Sequence, residues 1–112
     1  MARALRRGDI VTVSAAGDYG KPRPAVVLQS DWLEGTDSVL VGLVTSTLRD
    51  ALIFRLTVEP SPANGLKLAS QIMADKIMAF PRDKCGDAIG RLDRESMAAL
   101  NRMLIVILGL AD

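Results

Sequence analysis

The chain contains no histidine and a single cysteine, Cys85, among its 112 residues. The lack of histidine excludes a Ser-His-Asp triad, a His-Cys nucleophile pair, a two-histidine ribonuclease mechanism and any histidine-ligated zinc ion. With one cysteine, neither an intramolecular disulfide nor a cysteine-based zinc site can form. We expect Cys85 to be a half-buried structural thiol, although a position beside Lys84 would also suit a reactive one.

Net charge and long apolar runs are also scarce. Fourteen Lys and Arg residues stand against thirteen Asp and Glu, which gives a formal charge of +1. Bulk charge therefore predicts neither a nucleic-acid binder nor a membrane-surface binder, and any basic site must come from a local cluster. The longest apolar run, 103–110, is far shorter than the roughly 20 residues that span a bilayer. Because no apolar segment follows the basic N-terminal residues, we expect a cytoplasmic protein with no membrane partner.

The composition is that of an ordinary globular protein. Hydrophobic residues make up 49% and charged residues 24% of the chain, and its length predicts one domain over residues 1–112. Five or six short strands are expected in the first two thirds. Alternating or β-branched residues predict them at 9–14, 25–28, 38–47 and 54–59, with two more short strands within 66–80.

The last third changes to helical spacing. Asp93 is a predicted N-cap and Gly109 a predicted C-cap, with apolar residues recurring every three or four positions between them. The far end of this helix is apolar nearly all round, which favours burial on two sides, one by the chain's own barrel and one by a second subunit. Few strands followed by a helix predict a mainly β fold, a small partly open barrel with a C-terminal helix.

The segment 20–31, GKPRPAVVLQSD, resembles the MazF/PemK family of toxin ribonucleases. The likeness continues in order along the chain, at 7–11 (RGDIV), 44–46 (VTS), 70–72 (SQI) and 89–92 (IGRL). The resemblance implies an SH3-like or CcdB-like barrel and a homodimer. It also implies metal-independent, cofactor-free cleavage of single-stranded RNA at short sequence motifs, and a cognate antitoxin that blocks the RNA groove.

Arg23 lies between Pro22 and Pro24, which stiffen the backbone around it. The forked donors of a guanidinium match two phosphate oxygens and suit the charge that develops on a phosphorane. The resemblance implies that Arg23 is the main catalytic residue and that Thr45 hydrogen-bonds the scissile phosphate. On sequence alone, Arg23 also suits a surface ion pair and Thr45 a strand interior. Ser46, the next hydroxyl, is the alternative phosphate-binding residue.

Further RNA-binding candidates lie around these two residues. Tyr19 would stack on an unpaired base, and Lys21 would contact a phosphate. Gln71 would either read a base edge or close the site from the neighbouring strand. Lys67 and Lys76 are alternative candidates to replace an arginine that some relatives carry near Leu68 or Met73, where this chain is apolar.

Ser70, another RNA-binding candidate, stands where members of the family commonly carry an acidic residue. The general base is therefore open, with Asp18 and Asp75 as alternatives. The Arg23 motif with Thr45 favours an endoribonuclease that uses the 2′-hydroxyl of RNA as its nucleophile. Ser70 leaves room for the alternative, a non-catalytic CcdB-like toxin that binds a topoisomerase, or an inactive toxin relative.

Two surface features remain with two interpretations each. Trp32 is either an exposed anchor for a partner or a cap on the small core. Arg3, Arg6, Arg7 and Lys21 would form a basic rim if the chain start lies beside the loop before Arg23, and otherwise belong to a frayed terminus.

Overall fold

The computed structural model describes residues 4–14, 21–51 and 53–112. These residues form one antiparallel sheet in the order β4-β5-β3-β2-β1-β6, followed by a helix, α1. None of the described helices is long and apolar enough to cross a membrane. The elements are β1 (Asp9–Val13), β2 (Arg23–Val27), β3 (Ser38–Thr45), β4 (Arg55–Val58), β5 (Ser70–Pro81), a 3-10 turn (Arg82–Lys84), β6 (Cys85–Arg91) and α1 (Arg94–Ile107).

The short 3-10 turn forces the sheet to curl. It connects β5 to β6, which are separated in the sheet by three other strands. In a flat sheet these two strands would lie ~19 Å apart, whereas a three-residue 3-10 turn spans only about 6–8 Å. The sheet therefore bends toward itself but does not close, because β4 and β6 are unpaired edges. This confirms the predicted partly open, mainly β fold with a C-terminal helix.

Side-chain alternation divides the core into two apolar clusters on opposite faces of the sheet. On the side that we call the helix face, the strands pack against Leu100 and Leu104 of α1. On the other side, the second face, the curled sheet encloses its own apolar residues. These are Val11, Val13, Ala25, Val27, Val39, Val41 and Phe80.

The strands predicted at 9–14, 25–28, 38–47 and 54–59 are confirmed within two residues at each end. The prediction of two short strands within 66–80 is wrong, because a single strand of twelve residues, β5, covers this region. Its pairing with β3 shifts register between Gly42 and Val44. Such an irregularity interrupts the alternation without ending the strand.

α1 begins after Asp93, as predicted, although the Asp93 side chain makes no capping hydrogen bond. The predicted C-cap is one residue too late, because Leu108 is the C-cap and Gly109 follows it with φ +69°. Glycine adopts this left-handed conformation without a steric penalty. The chain itself buries one side of the helix, through Leu100 and Leu104. The other side is exposed at Ile105, Val106, Leu108 and Leu110.

Candidate functional site

Two neighbouring strands bring Arg23 and Thr45 to the same end of the sheet. Arg23 is the first residue of β2 and Thr45 the last of β3. The strands are antiparallel with Ala25 opposite Leu43, so the register, continued by two residues, places Arg23 opposite Thr45. Alternation puts both residues on the second face, which Ala25 and Leu43 share. The two predicted catalytic residues are therefore neighbours across one strand spacing, ~4.8 Å.

A line of residues crosses the sheet at this level. Gln71 on β5 pairs with Thr45 on one side and with Thr57 of β4 on the other. In the opposite direction, Val13 of β1 pairs with Arg23. We call Arg23, Thr45, Gln71 and Thr57 the polar row.

Thr45 retains a hydroxyl proton for a ligand. Its oxygen accepts a hydrogen bond from the backbone N–H of Thr47 at 3.1 Å, which leaves its own O–H able to donate to a second group. Thr45 is half-buried, whereas Ser46 is exposed beyond the end of the strand. Because the strand register fixes only Thr45 opposite Arg23, Thr45 is the better candidate for a phosphate contact.

Gln71 is buried, at 5% exposure, and its amide is fully engaged. The Oε1 atom accepts hydrogen bonds from the Arg49 backbone N–H (3.0 Å) and from Nη1 of Arg55 (3.1 Å). The Nε2 atom donates to the Arg49 carbonyl (2.9 Å) and to the Thr57 hydroxyl (3.2 Å). Both amide hydrogens are therefore used. Of the two roles predicted for Gln71, closure of the site agrees with these contacts and base reading does not.

Arg55 is a residue of this site that the sequence analysis did not single out. It begins β4 opposite Met73 and is half-buried. Besides its bond to Gln71, its Nη1 donates to the Thr47 carbonyl at 2.8 Å, and its Nη2 lies 3.6 Å from the Met73 sulfur. The alternation in 54–59 indicates part of this arrangement, since it places Arg55 on the same face of the strand as Thr57. What the sequence did not reveal is that this face meets Gln71.

Ser70 is not brought to the polar row. It pairs with Val58, is 5% exposed and donates a hydrogen bond to the Leu68 carbonyl at 2.8 Å. Its neighbour Gln71 belongs to the polar row, so alternation turns Ser70 toward the helix face. The RNA-binding role predicted for Ser70 has no support in this geometry.

The remaining candidate residues are not members of the polar row. Lys21 is exposed two residues before Arg23, and Lys76 is exposed farther along β5. Asp75, one of the two candidate bases, is exposed next to Lys76. Tyr19 and Asp18 lie outside the described residues. Within the described part of the chain, no group of three or more Asp, Glu or Cys side chains is arranged to hold a metal ion.

Arg7 is bonded into the fold and does not belong to a frayed terminus, whereas Arg3 lies outside the described residues. The Nε atom of Arg7 donates to the Leu28 carbonyl at 2.9 Å, and its Nη2 donates to Oδ1 of Asn101 at 2.7 Å. These bonds join the chain start to α1, so Arg7 has a structural role.

Trp32 is 94% exposed, which excludes the predicted alternative of a core cap.

Cys85 behaves as the predicted structural thiol. It is half-buried at the start of β6. Burial raises the pKa of the thiol above its usual value, an effect that the positive charge of Arg82 opposes and the negative charge of Asp83 reinforces. A raised pKa keeps the sulfur protonated and weakly nucleophilic at neutral pH.

An open antiparallel sheet with one C-terminal helix is also the fold of solved MazF toxins. An endoribonuclease from a mycobacterial species, solved in complex with its cognate antitoxin, has a TM-score of 0.80, 24% identity and coverage of 96% of this chain and 97% of that one. The toxin MazF-mt6 of Mycobacterium tuberculosis has a TM-score of 0.77 and 22% identity, with 90% and 96% coverage. These matches establish the fold.

Sequence comparison establishes the family. Residues 6–108 match the family described as PemK-like, MazF-like toxin of type II toxin-antitoxin system. The chain is also 43% identical to a probable endoribonuclease MazF of Mycolicibacterium smegmatis, across 96% of this chain and 99% of that protein. The chain belongs to the PemK/MazF-like toxin family and is a homologue of MazF endoribonucleases. The family and the functional class predicted from the sequence are confirmed.

Proposed function

We propose that this chain cleaves single-stranded RNA at short sequence motifs, with the 2′-hydroxyl of the RNA as nucleophile and without a metal ion. The observation that carries the proposal is the position of Arg23 opposite Thr45, on one face and at one end of the sheet. A relative 43% identical to this chain bears the name of a probable endoribonuclease, which supports the same reaction class.

Each residue has a defined part in this reaction. The 2′-oxygen bonds to phosphorus and its proton passes to water, while the bond between phosphorus and the 5′-oxygen of the next nucleotide breaks and that oxygen takes up a proton from water. The products are a 2′,3′-cyclic phosphate and a 5′-hydroxyl. In the transition state between these two events, negative charge accumulates on the non-bridging phosphate oxygens, and the guanidinium of Arg23 stabilises this charge. The Thr45 hydroxyl donates to one phosphate oxygen and fixes its position.

We further propose that the protein acts in the cytoplasm as a homodimer and that a cognate antitoxin neutralises it. The exposed apolar end of α1 supports the dimer, because Val106 is 67% and Leu110 is 70% exposed in the single chain. The antitoxin is supported by family membership and by the antitoxin complex of one structural neighbour.

The test of the cleavage reaction uses the purified protein, a long single-stranded RNA and EDTA. We expect discrete fragments with 5′-hydroxyl and 2′,3′-cyclic phosphate ends, mapped by primer extension. Arg23→Ala should abolish them, while Arg102→Ala, which removes an exposed arginine of α1, should not. Intact RNA together with an inhibited DNA gyrase would instead establish the non-catalytic topoisomerase binder, and intact RNA with an uninhibited gyrase an inactive relative.

A further inference from the structure

We infer that Arg55 is a second phosphate-binding residue of the RNA site, held in position by Gln71. The inference rests on the proposed endoribonuclease function and extends it to a residue on β4. Its basis is an unused edge of the Arg55 guanidinium, its uncompensated charge and its place beside the polar row.

The hydrogen bonds of Arg55 occupy one side of its guanidinium. Nη1 donates both of its hydrogens, to the Thr47 carbonyl at 2.8 Å and to Oε1 of Gln71 at 3.1 Å. Among the described residues, Nη2 contacts only the Met73 sulfur, at 3.6 Å, and Nε has no hydrogen-bond partner. Because Nη2 carries two hydrogens and the sulfur accepts one, Nε and Nη2 each keep one hydrogen for a ligand along the edge that they form. That edge is a fork of parallel donors, the geometry that matches two oxygens of one phosphate.

No carboxylate of the described residues forms an ion pair with Arg55. An ion pair does join Arg91 to Asp9, at 2.8 Å. Arg55 is nevertheless half-buried, and partial burial of an unpaired charge is unfavourable. An anion bound at the free edge would supply the missing negative charge.

The place of Arg55 suits a nucleic-acid strand. Gln71, which contacts Arg55, pairs with Thr45, and Arg23 lies opposite Thr45 on the far side. Arg23 and Arg55 thus lie on opposite sides of Thr45 and share one face of the sheet. An RNA strand with its scissile phosphate at Thr45 would pass Arg23 on one side and present a neighbouring phosphate to Arg55 on the other.

Gln71 makes this placement rigid. Its amide bonds to Arg55, to Thr57 and to the backbone of Arg49 hold the guanidinium against two strands and a loop. A cation that is fixed before the RNA arrives loses little conformational entropy on binding. Gln71 is therefore a positioning residue, and Arg55 is the residue that touches the phosphate.

The test measures binding as a function of salt, because a purely structural role of Arg55 would leave the salt dependence unchanged. The probe is a fluorescent RNA oligonucleotide that contains a mapped cleavage site, with a 2′-deoxy sugar at that site to prevent cleavage. Binding is followed by fluorescence anisotropy across a range of salt concentrations. The proteins are the unchanged chain, Arg55→Met, Arg55→Lys and the control Arg102→Met, each checked for folding by circular dichroism.

We expect Arg55→Met to weaken binding about tenfold at low salt, the loss typical of a charge-assisted hydrogen bond. The slope of log affinity against log salt should decrease by about 0.7, the value for one phosphate contact on a single strand. Arg55→Lys should keep the slope and lose part of the affinity, and Arg102→Met should match the unchanged chain.

Two outcomes overturn the inference in distinguishable ways. If the unchanged chain cleaves RNA and Arg55→Met retains its full salt slope, Arg55 does not contact a phosphate and the endoribonuclease function stands. If the unchanged chain neither cleaves nor binds RNA, the proposed function fails and this inference fails with it.

Discussion

The side-chain amide of Gln71 pairs with the backbone of Arg49 as if it were a strand residue. It accepts from the Arg49 N–H at 3.0 Å and donates to the Arg49 carbonyl at 2.9 Å. Arg49 lies in the loop that follows Thr45, so this pair attaches the loop to β5. The same loop donates the Thr47 N–H to the Thr45 hydroxyl, so a buried side chain of another strand holds the surroundings of Thr45.

Replacement of Gln71 by leucine should therefore destabilise the fold and weaken RNA cleavage together. Loss of the amide removes the Oε1 acceptor shared by the Arg49 N–H and Nη1 of Arg55, and one of the two donors to the Arg49 carbonyl, which keeps the Ala51 N–H. Each lost hydrogen bond costs about 0.5–1.5 kcal/mol, measurable by urea unfolding. Gln29→Leu is the matched control, because Gln29 likewise fixes a loop through Leu33 and Thr36. It should lower stability and spare cleavage. A Gln71→Leu protein of normal stability with a changed cleavage motif would favour base reading.

The hydroxyl of Thr45, and not that of Ser46, should be required for catalysis. Thr45→Val keeps the shape of the side chain and removes its donor, so we expect kcat to fall about 10- to 100-fold with little change in unfolding midpoint. Ser46→Ala should retain nearly full activity. Single-turnover cleavage of an RNA with a mapped site provides the measurement, and the reverse order of effects would transfer the role to Ser46.

The Cys85 thiol should react slowly with alkylating agents in the folded protein. Burial raises its pKa above that of an exposed cysteine, so at a given pH less thiolate is present than in a free cysteine. The raised pKa also determines how the free energy of unfolding depends on pH. The protonated thiol stabilises the folded state fully at pH values below the pKa of Cys85 in the unfolded chain, and this stabilisation is lost as the pH rises through the pKa of Cys85 in the folded protein. Iodoacetamide labelling with and without urea tests the rate. Equal rates in both states would contradict it.

The expected pH dependence of stability is measured against the variant Cys85→Ala, which lacks the thiol. Relative to Cys85→Ala, the unchanged chain should lose stability in alkaline solution, above about pH 9, and show no relative change near neutral pH. Urea midpoints at several pH values measure this difference.

A charge at the exposed apolar end of α1 should disrupt the homodimer. Val106→Asp places a carboxylate where the single chain exposes 67% of the valine, and burying it in an interface without a partner is unfavourable. We expect the unchanged chain to have a dimer mass in light scattering at micromolar concentration and Val106→Asp to have a monomer mass. Arg102→Asp, on the same helix, is the charge control. A monomeric unchanged chain would refute the dimer.

Local sequence patterns predicted most of the fold because its strands alternate cleanly. Alternation, as in Leu56 and Thr57, shows which side chains face the core without knowledge of a partner strand, and a short wholly apolar run, as in 25–28, indicates a strand that is covered on both faces. β6 escaped prediction because its sequence, CGDAIGR, has two glycines and little apolar alternation, and it is a strand by virtue of its pairing with β1.

The candidate site was predictable only where a motif marks it. Arg23 and Thr45 belong to segments with a family resemblance, and the strand register places them opposite each other. The engagement of Gln71 and the presence of Arg55 depend on the register between β4 and β5, which are joined by the eleven-residue connection 59–69. No local pattern determines which residues of two such strands meet. The same holds for Ser70, whose neighbour in sequence belongs to the site while Ser70 faces the core.

The single tryptophan of this protein is already surrounded by solvent in the native state. Trp32 is 94% exposed on a loop that hydrogen bonds from Gln29 hold in shape. Its fluorescence should consequently shift little when the chain denatures, so it is a poor reporter of unfolding. The same indole would report sensitively, by a blue shift in emission, any macromolecule that covers this loop.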